Sequence, residues 1–482
     1  MSFMRRWIFL FLVAVVMVLV FFWWNGHRAL QREFAWLKAE GLPVTLEEGG
    51  LSTVEKLGPD GEAWKKVKSA VEAKTSSPVT EPLRDNLRFV RPGYYRAMTL
   101  EPDLPIGGTE RTERITWTEW DTRLKPLREA LAKAPVLRPG EKYFEPDFRE
   151  GFAASSQNQT ISLTVARGHM YSARGHLGLH RPAEALADID MGRKLKKSFL
   201  REDTLLEGLV ESSIDLMMVA VSWEMLQHPD LNEKQLAALA KIWEPESFQN
   251  RLTHLWAGER LNSWVWLSGY QARNTLWDRE NLGFCCGRSW LEEVVTYDFF
   301  KLPYRKLILP HDLAFYLHAL GLLEKRTAEW AEGAPYAVVK AEVERGTTFF
   351  QALPFWQRPG YLFAEEQLSS QLKAMNLMVA ALTQQRLLQA AIALERYRLQ
   401  HHSYPATLQE LSPAYVVAVL LDPIDHQPLR YRREAGAVYT LYSIGINGVD
   451  DGGQAKWIDP KDKPVMWAAH KTYDIVWPRA AK

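Results

Sequence analysis

Three histidines carry the most compact chemistry in this chain. His169, His176 and His180 stand at i, i+7 and i+11 within "ISLTVARGHMYSARGHLGLH" (Ile161–His180). On a helix these positions fall within about 40° of one another. His176 and His180 also have the i, i+4 spacing that lets two imidazoles reach one ion. A zinc or copper face is one reading of the trio. A polar face of a helix hairpin is the other, because no Glu completes an H-E-x-x-H and no acidic partner is evident in the pattern. His311 and His318 repeat the i, i+7 relation, again with no partner visible in the sequence.

Other catalytic patterns are missing. There is no G-x-S-x-G, and "LSGYQ" lies in a helical run instead of on a strand-to-helix elbow. Neither a G-x-G-x-x-G nor a P-loop occurs. The pairs Glu292–Glu293 and Glu365–Glu366 read as surface charge. Cys285 and Cys286 are adjacent, so they cannot staple distant segments, and no C-x-x-C is present. A metal-dependent enzyme built on the histidines is the one catalytic reading left.

The elements that would position these residues begin with composition. A chain of 482 residues is too long for one ordinary core. Hydrophobic residues at 47% and charged residues at 24% give the balance of a folded protein. Lys+Arg at 59 against Asp+Glu at 58 leaves no basic surplus to displace counterions, so a nucleic-acid partner is not expected. The one local basic run, "RKLKKSFLR" (Arg193–Arg201), reads as the solvated face of a helix. Trp223, Trp243, Trp256, Trp264 and Trp266 fall in helical stretches, where large aromatic rings anchor packing.

From Trp7 to Trp24 there is neither a charge nor a proline. At about 1.5 Å per residue the run spans ~27 Å, close to the hydrocarbon thickness of a bilayer. It ends in "FFWWNGHR" with no A-x-A cleavage site, so an uncleaved signal anchor is expected, with the Trp pair at headgroup level. Arg5 and Arg6 outweigh Arg28 and Arg32, which Glu33 dilutes; this predicts a cytoplasmic N-terminus and an extracytoplasmic bulk. Leu30, Phe34 and Leu37 keep helical spacing, so the helix should continue as a stalk through residue 40, to Gly41 and Pro43.

Residues 41–115 are broken by Pro and Gly around one short helix, "GEAWKKVKSAVEAK", and read as a linker-rich layer. An α-helical domain is expected over 116–360. Its clearest unit is Ile161–His180 followed by "RPAEALADIDMGRKLKKSF", where Pro182 takes the first helical position and needs no N–H partner. This pair resembles one tetratricopeptide-type hairpin, which implies hairpin or solenoid-like packing; no recurrence at about 34 residues is found. "DLMMVAVSW" is too short and interrupted to span a bilayer and reads as a core helix.

From Tyr361 the texture changes, and residues 361–482 are expected to form a further domain. A long helical pattern without Pro or Gly runs to "LERYRLQHHS" and is followed by "YPATLQEL". "PLRYRRE" and "AVYTLYSIG" then alternate as strands around a tight turn at Ala435-Gly436, and the β content is expected to concentrate here.

This order of features resembles the major pseudopilins of type II secretion systems. The residues that carry it are "AIALERYRLQHHSYPATLQEL", the Asp422-Pro423 turn with Tyr431, "YTLYSIGINGVDDGG" and the late "YDIVW" (Tyr473–Trp477). The resemblance covers about a fifth of the chain. It implies an α+β head whose loop binds calcium. Position by position, the family's loop Asp corresponds to Asn447 and its late acidic residue to Asp474, with Asp450 and Asp451 adding carboxylates. Oxygen ligands on a Gly-rich loop suit a hard cation; a plain Asx/Gly turn is the alternative. The family's N-terminal processing motif has no counterpart in "MRRWIFLFLVAVV", so assembly into a pseudopilus by the family's route is not expected.

The expected fold is therefore mainly α, with an N-terminal transmembrane helix, an α-helical hairpin domain and a C-terminal pilin-like α+β domain bearing a small antiparallel sheet. The expected role is that of a bacterial inner-membrane protein, single-pass, working in the envelope through protein–protein contact. An accessory part in a type II secretion or pilus-like machine and the histidine-based enzyme are the alternatives.

Overall fold

The computed structural model describes residues 2–51, 56–57, 60–75, 88–91, 94–96, 98–100, 103–106, 113–137, 144–145, 156–200, 204–244, 248–272, 307–355, 357–434, 438–453 and 474–480. Cys285, Cys286, Glu292, Glu293, the Ala435-Gly436 turn and Tyr473 lie outside the described residues.

The protein is mainly helical. Helix α1 (Ser2–Ala39) is followed by α2 (Gly61–Thr75), α3 (Trp117–Leu131), α4 (Ser156–Gly178), α5 (Pro182–Phe199) and α6 (Leu205–Leu226). Then come α7 (Glu233–Ile242), α8 (Phe248–Ala272), α9 (Leu309–Ala331), α10 (Ala337–Ala352) and α11 (Leu362–His401). Local signals set many of these boundaries. Thr116 and Asn232 form capping boxes at the starts of α3 and α7, satisfying N–H groups that have no partner inside the helix. Pro182 opens α5, and the chain leaves α1 through Gly41 at φ 72° and α11 through His402 at φ 56°.

Helix α1 has two environments. The side chains of Trp7 and of Leu10 through Trp24 are exposed, and the helix is long and apolar enough to cross a membrane. Beyond them the same helix enters the protein: Leu30 and Leu37 are buried, and Phe34 packs edge-on against Trp264 with ring centroids 4.7 Å apart. Gly26 lets α1 approach α9 closely, since a Cβ there would lie 3.2 Å from Cβ of Pro310. The expected stalk is thus docked along α9.

The core runs continuously from Leu30 to Trp477. Helix α6 lies at its centre and its "DLMMVAVSW" stretch is buried, as expected of a core helix. Gly208 brings α6 against α8 and α11; an added Cβ would meet Leu255 at 2.6 Å and Met378 at 2.7 Å. Helix α11 also has the length and hydropathy of a membrane span, yet it is largely buried inside the protein.

The central helix also carries charge. Asp215 accepts from Lys196 at 2.9 Å and from Gln385 at 2.8 Å, Glu211 pairs with Lys196 and Arg251, and Glu224 pairs with Arg174. Burial nevertheless pushes the Asp215 carboxyl up to about 6. Charges this deep persist because they are paired, and removing one partner would strand the other.

Strands are more dispersed than the sequence led us to expect. The linker-rich segment and its flank contain β1 (Lys56–Leu57), β2 (Arg88–Arg91), β3 (Tyr94–Arg96), β4 (Asp103–Ile106), β5 (Glu113–Thr116) and β6 (Phe144–Glu145). The C-terminal sheet has the order β7 (Arg430–Glu434), β8 (Val438–Ser443), β9 (Ile475–Val476), all antiparallel. A last strand, β10 (Arg479–Ala480), leaves this sheet and pairs in parallel with β3. Such short pairings carry little alternation, and so they left no periodic signal.

Candidate functional site

Two groups of side chains were singled out by type and spacing. In the C-terminal group, Asp474 is brought from 21 residues away to receive the backbone N–H of Gly453 at 2.7 Å, and that of Asp451 at 3.2 Å. Asn447 Nδ2 donates to Asp451 Oδ2 at 3.2 Å, while Asn447 Oδ1 accepts from the N–H of Val449 at 3.3 Å. Asp450 accepts from the Tyr442 hydroxyl at 3.1 Å and the Gly452 N–H at 2.9 Å, with the Arg430 guanidinium 3.7 Å away. Gly448, Gly452 and Gly453 all take positive φ, which lets the chain fold back on itself.

All four expected residues therefore meet in one loop. Their oxygens are of the type a hard cation prefers, but they are engaged by N–H and O–H donors in the manner of an Asx/Gly turn. Burial raises the Asp474 carboxyl above its ordinary value, partly offset by the two backbone N–H groups.

The residue that organises this region is Asp422, which is fully buried. Its carboxylate accepts from the N–H of Ile424 at 3.0 Å, the Ser443 hydroxyl at 2.8 Å, the N–H of Ile444 at 3.0 Å and Arg430 at 3.3 Å. It ties the Asp-Pro turn to the end of β8. The turn itself is fixed to the helices, because Trp330 donates to the Pro423 carbonyl at 2.6 Å and the N–H of Tyr336 donates to Ile424 at 2.7 Å.

The histidine group divides. His169 Nδ1 lies 2.7 Å from Asp188 Oδ1, and His176 Nε2 lies 3.7 Å from Asp188 Oδ2. These three residues line a cavity of about 480 Å³ together with Arg128, Ser172 and Lys194. Burial and the nearby Arg128 lower the His176 pKa. His180 belongs elsewhere. It sits in the turn after α4 with φ 57°, and its Nδ1 is 2.9 Å from Asp230 Oδ2. The reading of the trio as lacking an acidic partner is thus corrected: Asp188 and Asp230 are those partners, brought in by the fold. A hairpin turning near His180 places Asp188 opposite His169, so positions mirrored about the turn held a usable signal for Asp188. Asp230 had none.

His318 also gains a partner, Glu33 of α1, at 3.1 Å. His311 packs against the Tyr361 ring with centroids 5.2 Å apart. Searches against protein-family models, curated proteins and solved structures find no match for this chain.

Proposed function

We propose that this is a single-pass protein of the bacterial inner membrane, with the N-terminus cytoplasmic and the bulk extracytoplasmic, which works by holding a docking head at a set height above the bilayer. The observation that carries the reading is the two-part environment of α1: an apolar stretch, exposed at Trp7 and from Leu10 to Trp24, continues without a break into a segment packed on the core. A helix of this kind transmits position and orientation, which a flexible tether does not. The head supplies exposed apolar groups suited to contact, among them Val417 and Val449. The resemblance to pseudopilins favours an envelope protein as the partner, and calcium at Asn447, Asp450, Asp451 and Asp474 belongs to the same reading.

Photo-crosslinkers at Val417 and Val449 in intact cells test the proposal. The expected result is one discrete protein adduct, lost when residues 7–24 are replaced by a cleavable signal peptide. Protection of both positions from extracytoplasmic labelling would refute it. Millimolar calcium that leaves the thermal transition unmoved would remove the calcium component alone.

A second reading is favoured by the His169–Asp188 pair at the cavity, which has the arrangement of an oriented general base. Turnover of a substrate abolished by H169Q would carry it.

A further inference from the structure

At one end of the helical body, the turn between α4 and α5 meets the turn between α6 and α7. His180 stands in the first, and His228 and Asp230 stand in the second. One ligating atom from each lies within 4.8 Å of the other two. The rings of His180 and His228 meet edge-on, with centroids 5.7 Å apart.

His228 adds an independent observation. It is 4% exposed, its Nε2 is 3.2 Å from the Thr99 hydroxyl, and its Nδ1 is buried with no hydrogen-bond partner. A buried polar atom left unsatisfied is costly, and a bound electron-pair acceptor would relieve it. Thr99 is itself fixed, because its N–H donates to Glu224 at 3.1 Å. With Nε2–H donating to the Thr99 hydroxyl, the lone pair falls on Nδ1, as a ligating histidine requires.

We propose that His180, His228 and Asp230 form a binding site for a divalent transition metal of the zinc class, with Thr99 orienting His228 from behind. Two imidazoles and a carboxylate are a recurrent zinc donor set, and three protein ligands leave a fourth position for water or an incoming group. Nitrogen ligands disfavour calcium and magnesium, so this site differs in chemistry from the C-terminal loop. Bound metal would fasten two successive helix hairpins at their turns.

The test uses the full-length, tag-free protein in detergent, stripped with EDTA and titrated with Zn²⁺ and separately with Co²⁺. The expected result is one strong equivalent, a four-coordinate Co²⁺ absorption spectrum, and a thermal transition that rises with free Zn²⁺ by mass action. H180A and D230N should each weaken binding at least tenfold and abolish the thermal shift. Both side chains are more than half exposed, at 62% and 52%, so these variants leave the core intact and decide the matter. T99A should weaken binding about tenfold, as loss of an outer hydrogen bond to a ligand does. Zn²⁺ binding by H180A and D230N equal to that of the parent, or no uptake by the stripped parent protein at micromolar Zn²⁺, overturns the proposal.

Discussion

Glu33 of α1 and His318 of α9 form an ion pair at 3.1 Å across 285 positions of sequence. Trp36, one turn further along α1, lies against the same imidazole with ring centroids 4.4 Å apart. Lys325 reaches Glu40, and Arg260 donates to the Pro43 carbonyl at 2.5 Å. The helix whose first half is apolar enough to cross a membrane is therefore part of the folded body for its last three turns.

The hydrogen bond from Glu33 raises the His318 pKa above its ordinary value of 6.5. The folded state favours the protonated ring. The pair's contribution is thus full below about 6.5 and is lost as pH rises through the higher folded value. NMR titration of the imidazole, assigned with H318Q, should give a midpoint above 6.5 that drops in E33Q. An unshifted midpoint in the parent protein contradicts the pairing.

Glu259 is buried between Leu205 and Gln371, and burial pushes its carboxyl up to about 7 from an ordinary 4.5. The folded state then binds the extra proton between these values. Stability should fall as pH rises through that window, by about 3 kcal/mol, and stay lower above it. E259Q keeps an acceptor and loses the charge, so its thermal transition should vary less with pH and exceed the parent's at pH 8. Equal pH profiles for the two proteins would argue against a charged Glu259 at that pH.

Gly178, at the end of α4, touches the buried Trp117 ring; a Cβ would lie 2.0 Å from Cδ2 and 2.3 Å from Cε3. Alanine favours helix over glycine by about 1 kcal/mol, but overpacking typically costs 1–3 and here confronts a rigid ring. G178A should therefore destabilise by about 2 kcal/mol or more. Combining it with W117L should cost less than the sum of the two single changes. A G178A midpoint in denaturant at or above the parent's would show that the ring can move aside.

D422A removes the acceptor of three donors within 3.0 Å and should cost about 3 kcal/mol or more, chiefly in the head. Asparagine does not rescue, because an NH₂ in place of Oδ2 confronts Ile444 N–H and Arg430, and one in place of Oδ1 confronts Ile424 N–H. Limited proteolysis should cut D422A after His401 faster than the parent. D422N with unchanged proteolysis would sink this account of the turn.

Much of the fold was readable as a string. The start of α5 was legible in Pro182 and the end of α1 in Gly41. The alternation of "PLRYRRE" and "AVYTLYS" located β7 and β8, whose register pairs Arg430 with Tyr442 and Glu434 with Val438. The pairing of β10 with β3 escaped notice because strands of two and three residues have no period to read. The candidate loop was visible as a cluster of Asn, Asp and Gly, whereas Asp422, which braces it, looked like half of an ordinary Asp-Pro turn.

Residue order was enough to set the apolar run of α1, the helical spans and the C-terminal hairpin strands. Each depends on hydrogen bonds, caps and side-chain periods acting over a few neighbouring residues. Folding in three dimensions settled who meets whom: Asp188 with His169 at 19 residues' distance, Asp230 with His180 at 50, and Glu33 with His318 at 285. Such encounters arise when apolar faces are buried and carry polar groups along with them, and no local pattern in the chain records the outcome.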